Sequence, residues 1–156
     1  NDTATTEIYT LTLHDAITIL KEVLFRGKDI INNNWVYGWY APIIDDNTGV
    51  IIKNLSKGLS SNVSPLRFDY SKIDPRTLGQ YTGIKDTYGI KIFEGDIIKY
   101  LEKDYEFIAG YVIFKDCSFY IRGLKNKWEN YNLHDLKEGT RIEIIGNIYD
   151  HNGILN

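Results

Sequence analysis

Leu78-Gly-Gln-Tyr-Thr-Gly-Ile-Lys-Asp-Thr-Tyr-Gly-Ile-Lys-Ile-Phe-Glu-Gly-Asp-Ile-Ile-Lys-Tyr100 sets Gly79, Gly83, Gly89 and Gly95 among tyrosine, isoleucine and phenylalanine. Glycine reaches positive φ without steric cost, so this spacing marks short strands joined by tight turns. Asp86-Thr-Tyr-Gly89 has Asp in the first turn position and Gly in the last, which suits a type I turn. Thr77–Tyr81 and Ile90–Phe93 on either side have the β-branched and aromatic bias of half-buried strands. Glu94-Gly-Asp96 predicts a second turn, with Gly95 at positive φ, and Ile97–Leu101 a third strand. Four glycines disfavour a helix here, because each costs one roughly 1 kcal/mol relative to alanine.

Working outward, Asp29–Tyr40 predicts a hairpin turning at Asn32-Asn-Asn34, since Asn tolerates the left-handed region. Trp35, Tyr37 and Trp39 then share one strand face. Val50–Lys53 predicts a short strand, and residues 54–66, rich in Ser, Asn and Gly, a loop. Beyond residue 102, Phe107–Phe114 and Ser118–Arg122 predict strands that turn at Lys115-Asp116, and residues 123–139 a polar connection. Arg141–Tyr149 predicts a closing strand, whose interior Gly146 marks a bulge or corner.

Upstream, Leu13, Ala16, Ile17, Leu20 and Leu24 fall at i, i+3, i+4, i+7 and i+11, the apolar stripe of a helix. Thr12 suits its N-cap. Its end is open, because Glu22–Arg26 also fits a strand. The expectation is a mainly β fold, a small, partly open β-barrel over residues 76–156. An N-terminal tail and helix occupies residues 1–21, and residues 22–75 form a hairpin and loop region packed on the barrel. Closure of that kind hides the edges of so few strands.

The 156 residues suffice for one domain with a real core. A net charge of −3 argues against broad nucleic-acid binding, which needs a basic surface. The single cysteine, Cys117, forms no internal disulfide. No signal peptide and no apolar run of bilayer length is seen, so no membrane partner and a cytoplasmic location are expected.

Four blocks resemble the YopX family of bacteriophage and prophage genomes: Phe25-Arg-Gly-Lys28 with Trp35-Val-Tyr-Gly38; Ile73-Asp-Pro75 through Gly79–Asp86; Gly89–Ile98; and Ile142–Tyr149. The resemblance implies an architecture similar to SH3-type barrels. The family's molecular function is not established, so the resemblance carries over no catalytic residue. The helix at residues 1–21 is longer than the family pattern.

For chemistry, Asp86, Glu94 and Asp96 are the strongest cluster. In turns beside adjacent strands they could converge on a divalent cation, but turn capping explains each of them. As a cap alone, Asp96→Asn should cost less than about 1 kcal/mol. His14, His134 and His151 show no ligand spacing with a cysteine, and Cys117 lies beside Asp116, whose charge disfavours a thiolate. No nucleophile elbow, phosphate loop or dinucleotide fingerprint occurs. No catalytic residue, metal or cofactor is therefore expected. The candidate binding residues are Trp35, Tyr37, Trp39, Tyr81, Glu94 and Asp96. The aromatic stripe could stack a ligand, although packing in the core or beneath the N-terminal helix is favoured. Lys85, Lys91 and Lys99 interleave with Tyr81, Tyr88 and Tyr100 as in a single-strand binder, but Asp86, Glu94 and Asp96 neutralise them. The leading reading is a non-enzymatic phage accessory protein that binds protein or itself. A small-barrel nucleic-acid binder and a metal-dependent enzyme using Asp86, Glu94 and Asp96 are the alternatives.

Overall fold

A computed structural model describes residues 23–43, 48–56, 67–101, 108–123, 131–136 and 140–151. Among these residues the strands are β1 Phe25–Asp29, β2 Trp35–Ile43, β3 Thr48–Ser56, β4 Arg67–Lys85, β5 Lys91–Phe93, β6 Asp96–Leu101, β7 Ile108–Lys115, β8 Ser118–Gly123, β9 Tyr131–Asn132 and β10 Arg141–Asn147. A 3-10 turn follows β9 at Leu133–Asp135. The fold is mainly β, as expected, and is laid out as two antiparallel sheets.

The predicted N-terminal helix lies outside the described residues, apart from its last stripe member. Leu24 is not helical: its carbonyl accepts the Tyr81 N–H at 2.8 Å and leads straight into β1. The strand alternative is the correct one from Phe25 on.

The first sheet runs β1-β2-β3-β4-β5, and β4 also pairs with β1. The β1–β2 hairpin turns where the asparagines predict. Asn33 takes φ 59°, and the Asp29 carboxylate accepts the N–H groups of Ile31 (2.8 Å) and Asn32 (3.2 Å). Strand β3 is longer than predicted, reaching Ser56 and entering the expected loop. The N-terminal half of β4 has no counterpart in the sequence expectation, and the strand runs unbroken through residue 75. Pro75 has no N–H to give a ladder and sits where the β1–β4 register shifts. Thr77 repairs this bulge: its Oγ1 accepts the Lys28 N–H at 2.8 Å and donates to the Asp74 carbonyl at 2.7 Å. Ile51 and Ile73 are wholly buried within this sheet.

The second sheet has the order β10-β6-β7-β8-β9. Alternate residues of its strands make one core: Ile98 and Tyr100 of β6, Val112 of β7, Phe119 and Ile121 of β8, and Ile142 of β10, closed by Ile92 and Leu133. Burying each such side chain is worth about 1.5–3 kcal/mol. The β10–β6 register shifts between Ile144 and Gly146, the bulge that Gly146 signals.

The two turns of the glycine-rich run form as predicted. Gly89 N–H donates to the Asp86 carbonyl at 3.0 Å, while the Asp86 carboxylate accepts from Tyr88 N (2.9 Å) and Ile90 N (2.8 Å). Gly95 takes φ +82°. Its N–H reaches the Val112 carbonyl and its carbonyl receives the Ile148 N–H, each at 2.9 Å.

Candidate functional site between the sheets

Residues opposite one another in an antiparallel pair stand side by side on one face. Arg26 lies opposite Tyr37 and Lys28 opposite Trp35, so β1 and β2 present two cations and two aromatic rings together. The Glu94-Gly95 turn and the start of β6 bring Asp96 to this group. Arg26 Nη2 meets Asp96 Oδ1 at 2.7 Å and donates to the Glu94 carbonyl at 3.1 Å. Its guanidinium lies 4.5 Å from the Trp35 ring centroid and 5.0 Å from that of Phe93, a geometry for cation–π attraction. Both charged side chains are more than nine-tenths buried. The buried Arg26 Nε has no hydrogen-bond partner among the described residues.

Asp96 also accepts the Phe93 N–H at 2.8 Å, so it does cap its turn. The sequence expectation was incomplete, because the same carboxylate neutralises Arg26. Burial pushes the Asp96 carboxyl above its ordinary value, with Arg26 and the Phe93 N–H pulling the other way. Burial likewise raises Glu94, whose Oε1 accepts the Phe114 N–H at 3.3 Å, and raises the Tyr149 hydroxyl.

A second ionic group flanks the first. Lys28 Nζ pairs with Asp150 Oδ1. Asp150 Oδ2 accepts from Trp35 Nε1 and Asn147 Nδ2, each at 2.8 Å. Partial burial pushes the Asp150 carboxyl up, but the bonds from Lys28, Asn147 and Trp35 outweigh it and hold the group at about 2. Tyr149 closes on Trp35, with ring centroids 5.9 Å apart.

Beside these groups opens a cleft of about 530 Å³, walled by Leu24, Tyr37, Ile90, Phe93, Ile144 and Arg26 among others. Its size falls in the range of small-ligand pockets. Of the sequence candidates, Trp35, Tyr37 and Asp96 line it. Tyr81 is buried behind it, its ring 5.6 Å from Phe93. Glu94 contributes its carbonyl to Arg26 and turns its carboxylate to Phe114. Trp39 lies outside the cleft.

The aromatic stripe is not a core element: Tyr37 is 48% exposed and Trp39 56%. Only Trp35 is half-buried, because only its part of the face lies under the second sheet. The carboxylates of Asp86, Glu94 and Asp96 have separate partners. Among the described residues, no three His, Cys, Asp or Glu side chains gather as a metal site. The interleaved Lys–Tyr pattern is not one surface either, since Tyr81 and Tyr100 are buried and Lys99 pairs with Glu143 at 2.9 Å. His151 Nδ1 accepts the Asn147 N–H at 3.3 Å, a structural contact. Arg26, Lys28, Asn147 and Asp150 are absent from the sequence candidates. The alternation of Phe25-Arg-Gly-Lys28, which puts Arg26 and Lys28 on one face of β1, was the available signal for the first two.

Taken together, the fold and this joint define a small antiparallel β protein whose charged and aromatic residues hold two sheets together beside an apolar cleft. The chain matches the family model described as YopX protein over residues 24–156 and belongs to that family. It is similar in fold to the crystal structure of protein EF1440 from Enterococcus faecalis, with a TM-score of 0.57 and 23% identity over 86% of this chain and 99% of that one. No curated protein matches it. Among the described residues, no helix is long and apolar enough to cross a membrane.

Proposed function

We propose that this chain is a non-enzymatic phage or prophage accessory protein of the bacterial cytoplasm that self-associates through the outer face of its first sheet. The observation carrying this reading is a row of side chains across three strands. Trp39 lies opposite Ile52, and Ile52 opposite Tyr70, so the three stand abreast. Trp39 and Tyr70 are each more than half exposed, and Tyr37 extends the row along β2. Aromatic residues are enriched in interfaces, where each supplies a large contact area. We read the second sheet as an SH3-like barrel, a fold that serves many binding functions. Its order, with the last strand beside the first of a five-strand meander, and the 3-10 turn before that last strand support this.

Sedimentation velocity over a range of concentrations tests the reading. The full chain should form dimers or larger species, and Trp39→Ser with Tyr70→Ser should return it to monomer. A wild type that stays monomeric at high concentration would rule out self-association. Fluorescence anisotropy with labelled single-stranded DNA tests the nucleic-acid alternative, for which the dispersed lysines and tyrosines give little support.

A further inference from the structure

We propose that the cleft between the sheets binds a small organic anion with an apolar body, in the chemical class of an aromatic carboxylate. The site is separate from the Trp39–Tyr70 row and does not depend on self-association. Small-ligand pockets combine apolar walls with a few placed polar groups. Here Leu24, Ile90, Phe93 and Ile144 supply apolar wall, and Arg26, Lys91 and Asp96 supply the charges. At about 530 Å³ the cleft has room for a body of one or two rings.

Arg26 decides the chemistry of the occupant. Its side chain is more than nine-tenths buried. Its guanidinium lies against the rings of Trp35 and Phe93, and all three residues line the cleft. Its bonds to Asp96 and to the Glu94 carbonyl both run through Nη2. Nε is buried and has no partner among the described residues. Buried donors are nearly always met, so an orphan in the wall of a cleft calls for an acceptor there. Charge narrows the choice. Arg26 and Lys91 give the wall two positive charges against the one carboxylate of Asp96. The acceptor that complements such a wall is itself negative. A carboxylate on the ligand supplies both the missing acceptor and the missing charge, through a charge-assisted bond. Its apolar body packs on Ile90, Phe93 and Ile144.

Isothermal titration calorimetry of the full chain with 1-naphthoate tests this. One naphthoate should bind per chain, with a Kd of about 1 mM or tighter for a ligand of this size. The amine 1-naphthylmethylamine has a similar shape and the opposite charge, and should bind about tenfold more weakly. Ile90 is 56% exposed, so Ile90→Trp should narrow the cleft and abolish binding while moving Tm by less than about 3 °C. Lys91→Gln leaves the cleft open and should weaken naphthoate by about threefold. No saturable binding at about tenfold higher concentration would overturn the proposal. Equal affinity for the amine would also overturn it. So would an affinity unchanged in both variants, which would place the naphthoate elsewhere on the surface.

Discussion

Arg26 and Asp96 form a buried ion pair at 2.7 Å that ties β1 of the first sheet to β6 of the second. A buried charge whose partner is removed is strongly destabilising, by about 3–5 kcal/mol. Asp96→Asn keeps an acceptor for the Phe93 N–H but leaves Arg26 uncompensated. It is therefore expected to cost about 3 kcal/mol or more by urea denaturation, well above the cost of losing a cap. The double variant Arg26→Met, Asp96→Asn should recover much of that loss. Additive costs would show that the two side chains do not act as a pair.

Gly95 is expected to tolerate no side chain. Its φ of +82° costs an L-residue about 1–2 kcal/mol, and a Cβ there would lie 2.9 Å from Cε2 of Tyr149. Gly89 has nearly the same φ, +83°, with nothing within 4 Å. Gly95→Ala should therefore lower Tm clearly more than Gly89→Ala. Equal shifts in thermal melts would mean that the Tyr149 ring yields without cost.

Thr77→Val should destabilise by about 1–3 kcal/mol, because the buried Lys28 N–H loses its acceptor while the side-chain volume barely changes. Thr77→Ser keeps the hydroxyl and should cost less. Chemical denaturation of the two variants ranks them, and the opposite order would remove Thr77 from its role in the bulge.

Asp150 gives a pH dependence of known sign. Its carboxyl sits at about 2 in the folded chain against an ordinary 3.8. A depressed carboxylate adds stability above the unfolded value and loses it as pH falls towards the folded one. The Tm gap between wild type and Asp150→Asn should be full above pH 4 and shrink as pH falls from 3.8 towards 2. A gap constant across that window would show that Asp150 is not held by Lys28, Trp35 and Asn147.

The local features of this fold are legible in the sequence, and its long-range joints are not. The Asp86–Gly89 and Glu94-Gly95 turns, the asparagine turn and the Gly146 bulge each follow from backbone preferences of a few adjacent residues. The first half of β4 escapes notice because Pro75 and its polar neighbours resemble a loop, and what keeps the strand continuous is long-range pairing, with β3 along residues 67–73 and through Thr77 at the bulge. The Arg26–Asp96 and Lys28–Asp150 pairs join residues far apart in the chain, so no spacing announces them. The exposure of Tyr37 and Trp39 is equally invisible, because a period-two stripe states which residues share a face and not what covers it. Of the candidate site, the sequence supplied the aromatic wall and Asp96 but not their cationic counterpart.

In the first sheet each of β1, β2, β3 and β4 has a hydrogen-bonded neighbour on both sides, since β4 returns to β1. Free edge strands are the usual templates on which β proteins recruit further copies into fibrils. This half of the molecule offers little backbone for such growth. Among the described residues, the strands with a neighbour on one side only are β5, β9 and β10. Of these β10 is partly shielded, because Thr87 takes both the N–H and the carbonyl of Ile142. Strands β5 and β9 have three and two residues, and edges that short offer little template for growth.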